Sequence, residues 1–253
     1  MKKECVLGVD FDGVLVNDVI QMKAKFSGKY ASRLYEMGTP DRKLEPDFWR
    51  DRRDFLKNPD YISDLLFWPG AKVALPLASK FFDETYINSA RWTYQGLVIG
   101  GFLKRHNLSG YISSVLLRSE EDEDPLEVKL RNARRAGITH MVEDDASLAL
   151  AFAKNGIKVA LIDRPWNQWV PNSPNIRRYL ELWDFAMDIA YHGSVKGVFA
   201  RHERELEEDS ANLDKVYRRD PSCTDRFYQY ALGDTDDFYP CALRKICFVA
   251  LGP

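Results

Sequence analysis

Short apolar runs alternate with longer amphipathic stretches along most of the chain. The apolar runs are rich in Val, Ile and Leu, a composition typical of strands that are buried on both faces. The predicted strands are Cys5–Asp10, Thr85–Ser89, Ile112–Leu117, Thr139–Glu143 and Lys158–Ile162. Because each is followed by a stretch of helical period, the alternation predicts βαβ units around a parallel sheet.

The stretches between these strands predict four helices. They are Gly70–Phe82, Tyr94–Arg105, Leu126–Ala136 and Ser147–Asn155. Pro76 lies inside the first, which predicts a kink or a late start because proline lacks a backbone N–H. Asn155 and Gly156 follow the last and favour a helix stop, since both tolerate a left-handed backbone.

Two regions do not follow the alternation. Residues 18–68 are aromatic and charged, and their readable period is helical, so they predict a helical insertion between the first two strands. Residues 193–253 open with a charged helical stretch and continue with an aromatic-rich segment. Because aromatic residues are depleted in segments that stay unfolded, we expect this extension to pack on the core or on a partner.

Composition and charge exclude several classes of protein. The chain has 253 residues with a formal net charge of −2, so an overall basic field for binding nucleic acid is absent, although a local basic groove stays open. Its apolar runs are far shorter than the roughly 20 residues that a bilayer span needs, and we expect no membrane partner. The 4 cysteines form no CxxC pair, which favours a reducing, cytoplasmic setting without zinc.

The first candidate chemistry lies at the end of the first strand, in VLGVDFDGVL. Asp10 and Asp12 are two residues apart, so on an extended chain their side chains point the same way. Two like charges this close are costly unless a divalent cation or a shared proton relieves the repulsion. A solvated Asp-Gly turn is the structural alternative. The carboxyl end of a strand is nevertheless where open α/β sheets bind ligands, which favours a functional site.

Further polar residues follow the first strand in a consistent order. Asn88 and Ser89 end the second strand, Lys129 lies early in a helix, and Glu143 and Asp144 follow a later strand. Each has an ordinary explanation, such as a turn, a solvated lysine, or acids favoured at a helix N-terminus. Together they supply the carboxylates, the hydroxyl and the cation that a Mg²⁺-assisted phosphoryl site needs.

This order of residues resembles the haloacid-dehalogenase-like (HAD) superfamily of phosphohydrolases, over roughly residues 4–168. The segments WPGA at 68–71 and GIKVALIDRPWNQ at 156–168 further resemble the cytosolic 5′(3′)-deoxyribonucleotidases. The resemblance implies an α/β fold, a Rossmann-like parallel sheet with a small helical cap inserted after the first strand. It implies the following division: a HAD-like core of residues 1–17 and 69–192, a cap of residues 18–68, and a C-terminal extension of residues 193–253 with no assigned role.

The resemblance also implies roles for the acidic residues. Asp10 would be the nucleophile that forms an aspartyl-phosphate, and it would also bind Mg²⁺. Asp12 would be the general acid and then the general base, with its backbone carbonyl on the metal. Asp144 would bind the metal directly, and Glu143 would bind it through water.

The same resemblance implies that Ser89 and Lys129 hold the phosphoryl oxygens. Because the segment reads INSA, Asn88 is the alternative to Ser89 in this position. The implied activity is a Mg²⁺-dependent phosphomonoesterase acting on a (deoxy)nucleoside monophosphate.

Three alternatives stay open: a different small phosphate ester, the 3′-phosphate of a nucleic acid, and an interaction module without activity. A homodimer is compatible with the sequence.

Overall fold

The computed structural model describes residues 4–18, 54–119 and 123–219, with side chains as far as residue 208. Most of the predicted cap, residues 19–53, lies outside the described residues. Residues 220–253, which hold the aromatic-rich part of the extension, also lie outside them.

Within the described residues, six parallel strands form one sheet. They are β1 (Val6–Val9), β2 (Glu84–Trp92), β3 (Ser114–Arg118), β4 (His140–Glu143), β5 (Lys158–Ile162) and β6 (Ile176–Tyr179). Their order is β3-β2-β1-β4-β5-β6, which confirms the predicted Rossmann-like parallel sheet. The strand order reverses between β1 and β4, and the carboxyl ends of strands at such a point form a crevice where ligands bind.

Two features of the sheet differ from the prediction. Strand β2 ends at Trp92 instead of Ser89, and its pairing with β3 shifts register between Asn88 and Trp92. The edge strand β6 was not predicted, because Arg177 and Arg178 interrupt its apolar pattern. Charged side chains are common on edge strands, where they discourage pairing with another chain.

The described helices follow the predicted alternation closely. They are α1 (Ala71–Ser79), α2 (Gly96–Arg105), α3 (Pro125–Ala136), α4 (Ala146–Lys154), α5 (Leu182–His192) and α6 (Val195–Arg219). The side chains of Asp124 and Asp145 cap α3 and α4 by accepting hydrogen bonds from backbone N–H groups of the first turn. Gly137 ends α3 in a left-handed conformation, with φ of 68°.

Apolar side chains on the two faces of the sheet belong to separate core clusters. Leu7 and Val9 of β1 join a cluster that includes residues of α1, α2 and α5. Val6 and Met141 join a cluster that includes residues of α3 and α4. Because side chains alternate along a strand, β1 contributes to both clusters and is fully buried. Its carboxyl end is therefore held in place from both sides.

The chain forms two compact units, Met1–His202 and Glu203–Pro253. The start of α6 belongs to the first unit, where Val198 and Phe199 are buried in its core. His202 is also buried there, and its Nε2 lies 2.9 Å from the carbonyl oxygens of Ser173 and Ile176. None of the described helices has the length and apolar character to cross a bilayer.

Candidate active site

Three acidic side chains meet at the carboxyl ends of β1 and β4. Asp10, Glu143 and Asp144 each place one carboxylate oxygen within 4.8 Å of the others, and all three are buried. Burial raises the pKa of each above its ordinary value, with that of Glu143 reaching about 7, and the neighbouring carboxylates add to the effect. Buried oxygen ligands at this spacing fit a hard divalent cation such as Mg²⁺.

Lys129, on α3, is the cation that the structure places in this acidic cluster. Its Nζ lies 3.0 Å from Asp10 Oδ1 and 2.7 Å from Glu143 Oε2, and its side chain is only 1% exposed. Burial acts to lower the pKa of Lys129, but Asp10 and Glu143 outweigh this and raise it above its usual value. With all groups ionised, the four side chains carry two excess negative charges. One divalent cation would balance that excess.

Asp144 is held by hydrogen bonds from the short helix Pro165–Asn167 and lies close to Gly13 of the first loop. Trp166 Nε1 donates to Asp144 Oδ2 at 3.1 Å, and Asn167 Nδ2 donates to the Asp144 carbonyl at 2.7 Å. Gly13 has φ of +78°, and a Cβ added there would lie 2.0 Å from Asp144 Oδ2. A side chain at position 13 would therefore collide with this carboxylate.

The acidic residues at the end of β4 make different contacts. Glu143 Oε1 accepts hydrogen bonds from the backbone N–H groups of Asp144 and Asp145, at 3.1 Å each. Asp145 caps α4 through its contact with the backbone N–H of Leu148. Asp145 is therefore an acidic residue of the kind favoured at a helix N-terminus, whereas Glu143 and Asp144 belong to the acidic cluster.

Asn88 and Ser89 are both buried in β2, which pairs with β1. Asn88 Nδ2 donates to the backbone carbonyl of Lys129 at 3.0 Å, and its Oδ1 is buried without a hydrogen-bond partner among the described residues. Ser89 Oγ instead accepts from the backbone N–H of Arg91 at 3.2 Å. The structure thus links Asn88 directly to the helix segment that carries Lys129.

Asp12 stands apart from the acidic cluster and pairs with Arg91. Arg91 Nε donates to Asp12 Oδ2 at 2.7 Å, and Arg91 Nη2 donates to Asp12 Oδ1 at 2.6 Å. Sequence reasoning missed Arg91, because its partner Asp12 lies 79 residues away in the chain. It also missed the contact of Trp166 with Asp144, because that contact joins residues 22 positions apart.

Comparison with solved structures supports the fold. The structure is similar to that of a haloacid dehalogenase-like family hydrolase from Streptococcus pneumoniae, with a TM-score of 0.50 and 13% identity over 75% of this chain and 98% of that chain. Further similar structures are a HAD phosphatase from Thermococcus onnurineus (TM-score 0.46, 16% identity, 76% of this chain and 99% of that chain) and an L-2-haloacid dehalogenase from Xanthobacter autotrophicus (TM-score 0.48, 11% identity, 73% of this chain and 98% of that chain).

No protein-family model matches the chain, and no curated protein matches its sequence. The strand order and the first of these similarities show a haloacid-dehalogenase-like fold.

Proposed function

We propose that this protein is a Mg²⁺-dependent phosphomonoesterase that works through an aspartyl-phosphate on Asp10. The observation that supports this most is the buried cluster in which Asp10 meets Glu143 and Asp144 with Lys129 on its Oδ1. Phosphate esters are anions, so attack by a carboxylate requires positive charge at the same place. Among the described residues the cluster holds one cation, Lys129, and its remaining excess of negative charge is one that a divalent cation would balance.

In the proposed reaction the two aspartates of the first loop divide the chemistry. A carboxylate oxygen of Asp10 attacks phosphorus, the P–O bond to the leaving group breaks, and Asp12 gives a proton to the leaving oxygen. Water then attacks the aspartyl-phosphate, its proton passes to Asp12, and the bond between phosphorus and Asp10 breaks. The enzyme and its protons are thereby restored.

The remaining site residues are proposed to bind the phosphate and to neutralise its negative charge. Asp10, Glu143 and Asp144 would hold Mg²⁺, which supplies charge neutralisation for the incoming phosphate when it is bound. Lys129 would stabilise the charge that develops on the phosphoryl oxygens. Asn88 and Ser89 are both proposed to bind the phosphate, because each carries a donor for phosphoryl oxygens. The Ser89 hydroxyl offers one O–H, and Asn88 Nδ2, which gives one N–H to the Lys129 carbonyl, has a second N–H to offer.

For the substrate we propose a (deoxy)nucleoside monophosphate, because two segments that resemble deoxyribonucleotidases meet beside the site. The Arg164 guanidinium of the second segment lies 3.8 Å from the ring centre of Trp68 in the first. Arg164 Nε also donates to the carbonyl of Gly13, in the loop that carries Asp10 and Asp12. Both segments thus support the catalytic loop. We further propose that the protein is cytoplasmic.

The test is phosphate release by purified protein from a panel of esters, with Mg²⁺ or with EDTA. The panel holds nucleoside monophosphates, sugar phosphates, a 3′-phosphorylated oligonucleotide and p-nitrophenyl phosphate. We expect release with Mg²⁺ from wild type and from Asp188→Asn, a control acid on α5 that pairs with Tyr179. Asp10→Asn should release none and form no phosphoenzyme. No release from any ester by folded, Mg²⁺-loaded wild type would refute the proposal.

A further inference from the structure

Arg91 holds the carboxylate of Asp12 in a fixed plane. Arg91 is buried, only 3% exposed, and its guanidinium meets both carboxylate oxygens in a two-point contact. Such a contact fixes direction as well as distance, which a single hydrogen bond does not. Rings of Phe11 and Tyr61 lie 5.7 and 5.2 Å from the guanidinium carbon and limit its movement further.

The same guanidinium reaches the described end of the predicted cap. Arg91 Nη2 also donates to Tyr61 Oη at 2.6 Å. Tyr61 lies in the short helix Pro59–Asp64 and packs on Phe55, with ring centres 4.2 Å apart. This part of the chain is tied to α2, because Arg105 Nη1 donates to the carbonyl of Ser63 at 3.1 Å. Tyr61 therefore joins the insertion to Asp12 through one arginine.

We propose that Arg91 is a positioning residue for Asp12 in the second half of the reaction, and that Tyr61 makes this positioning depend on the insertion. The inference rests on the proposed phosphatase activity. Both oxygens of Asp12 accept hydrogen bonds from Arg91, so this contact sets the direction in which the Asp12 carboxyl group faces. In the second half of the reaction that group receives the proton of water during hydrolysis of the aspartyl-phosphate. Arg91 itself acts only through Asp12.

This role predicts an uneven effect on the two half-reactions. Loss of the contact should leave attack by Asp10 on an ester with a good leaving group nearly unchanged, because such a group needs little protonation. Hydrolysis of the phosphoenzyme should slow by about 10–10²-fold, the scale expected when a proton-transferring group is misplaced by roughly 1 Å. Phosphoenzyme should therefore accumulate.

The experiment is rapid-quench kinetics with p-nitrophenyl phosphate and Mg²⁺, measuring the p-nitrophenol burst, kcat and KM separately, and the phosphoenzyme fraction by mass. Arg91→Gln should show a full burst, a kcat lowered by about 10–10²-fold and a high phosphoenzyme fraction. Tyr61→Phe, which removes only the hydroxyl, should change these quantities in the same direction to a smaller extent. The control is Arg177→Gln, which removes a guanidinium of edge strand β6 that lies 3.3 Å from Asp188 of α5.

If Arg91→Gln does not fold, Arg91→Lys takes its place, because it keeps the charge and loses the two-point contact. A folded Arg91 variant whose phosphoenzyme fraction equals that of wild type would overturn the inference. An equal fall in burst rate and kcat would overturn it too, because Arg91 would then serve both steps or structure alone. Absence of any phosphoenzyme or phosphate release in wild type would instead refute the proposed function itself.

Discussion

Lys129→Met tests whether the acidic cluster is held together by charge. Methionine has a similar length and keeps the buried volume, but it removes the ammonium that lies 2.7 Å from Glu143 and 3.0 Å from Asp10. Removing one partner of a buried ion pair typically costs about 3–5 kcal/mol, because the other charge stays buried without compensation. We expect a loss of this size in the free energy of unfolding when EDTA is present.

The loss in the free energy of unfolding of Lys129→Met should grow as the pH rises. The pKa of Glu143 is already raised to about 7, and Lys129 is a group that lowers it, so the variant raises that pKa further. A carboxyl with a raised folded-state pKa contributes stability at low pH that disappears as the pH rises through that value. At about pH 5.5 Glu143 takes up a proton and relieves the cluster, whereas at about pH 8 it does so much less.

Urea unfolding with EDTA or with Mg²⁺ provides the measurement. Mg²⁺ should stabilise the variant more than wild type, because three carboxylates without a lysine attract the cation more strongly. Lys158→Met is the matched control, since its Nζ donates to the carbonyl of Pro174 and is not among the cluster's contacts. Equal stability of Lys129→Met and wild type in EDTA at about pH 8 would refute the reasoning.

Three other predictions follow from single contacts. Gly13→Ala should abolish phosphate release and lower the melting temperature, because a Cβ there would lie 2.0 Å from Asp144 Oδ2; near-normal turnover would contradict this. Trp166→Phe keeps an aromatic ring, although a smaller one, and removes the N–H that donates to Asp144, so the Mg²⁺ concentration for half-maximal binding should rise about 10-fold by isothermal titration. Burial lowers the pKa of His140 to about 4. The free energy of unfolding should therefore fall as the pH drops below about 6.5, by about 2 kcal/mol at pH 5, because the unfolded chain takes up a proton that the folded imidazole does not. Urea unfolding measures this fall, and His140→Leu should remove this part of the pH dependence.

Much of the fold could be predicted from local pattern. Strands β1, β4 and β5 are buried apolar runs, and each was predicted within one or two residues of its observed bounds. The pattern failed at β6, where Arg177 and Arg178 find partners that only the folded chain supplies. Residues 176–179 form a strand because they pair with β5, and this pairing cannot be read from the local sequence pattern.

The site divides in the same way. Asp10 and Glu143 are the last residues of predicted strands and Asp144 follows the second, so their convergence could be anticipated from the carboxyl ends of neighbouring parallel strands. Their roles remain proposals. Arg91 and Trp166 could not be assigned, because a buried arginine or tryptophan has no distinctive sequence pattern, and their partners are 79 and 22 residues away.

The central position of β1 also has a consequence for synthesis of the chain. Val6 pairs through its N–H with Thr139, 133 residues later, and β1 has β2 and β4 on its two sides. At about 5–20 residues per second, β1 leaves the ribosome roughly 7–27 s before the segment that completes its pairing. Strand β2 is synthesised earlier and can pair with one edge of β1, but the edge that β4 later covers stays open for the whole interval. Folding of the sheet's centre therefore has to wait for the synthesis of more than half of the chain, and an unpaired apolar edge is open to chaperones or to aggregation until then.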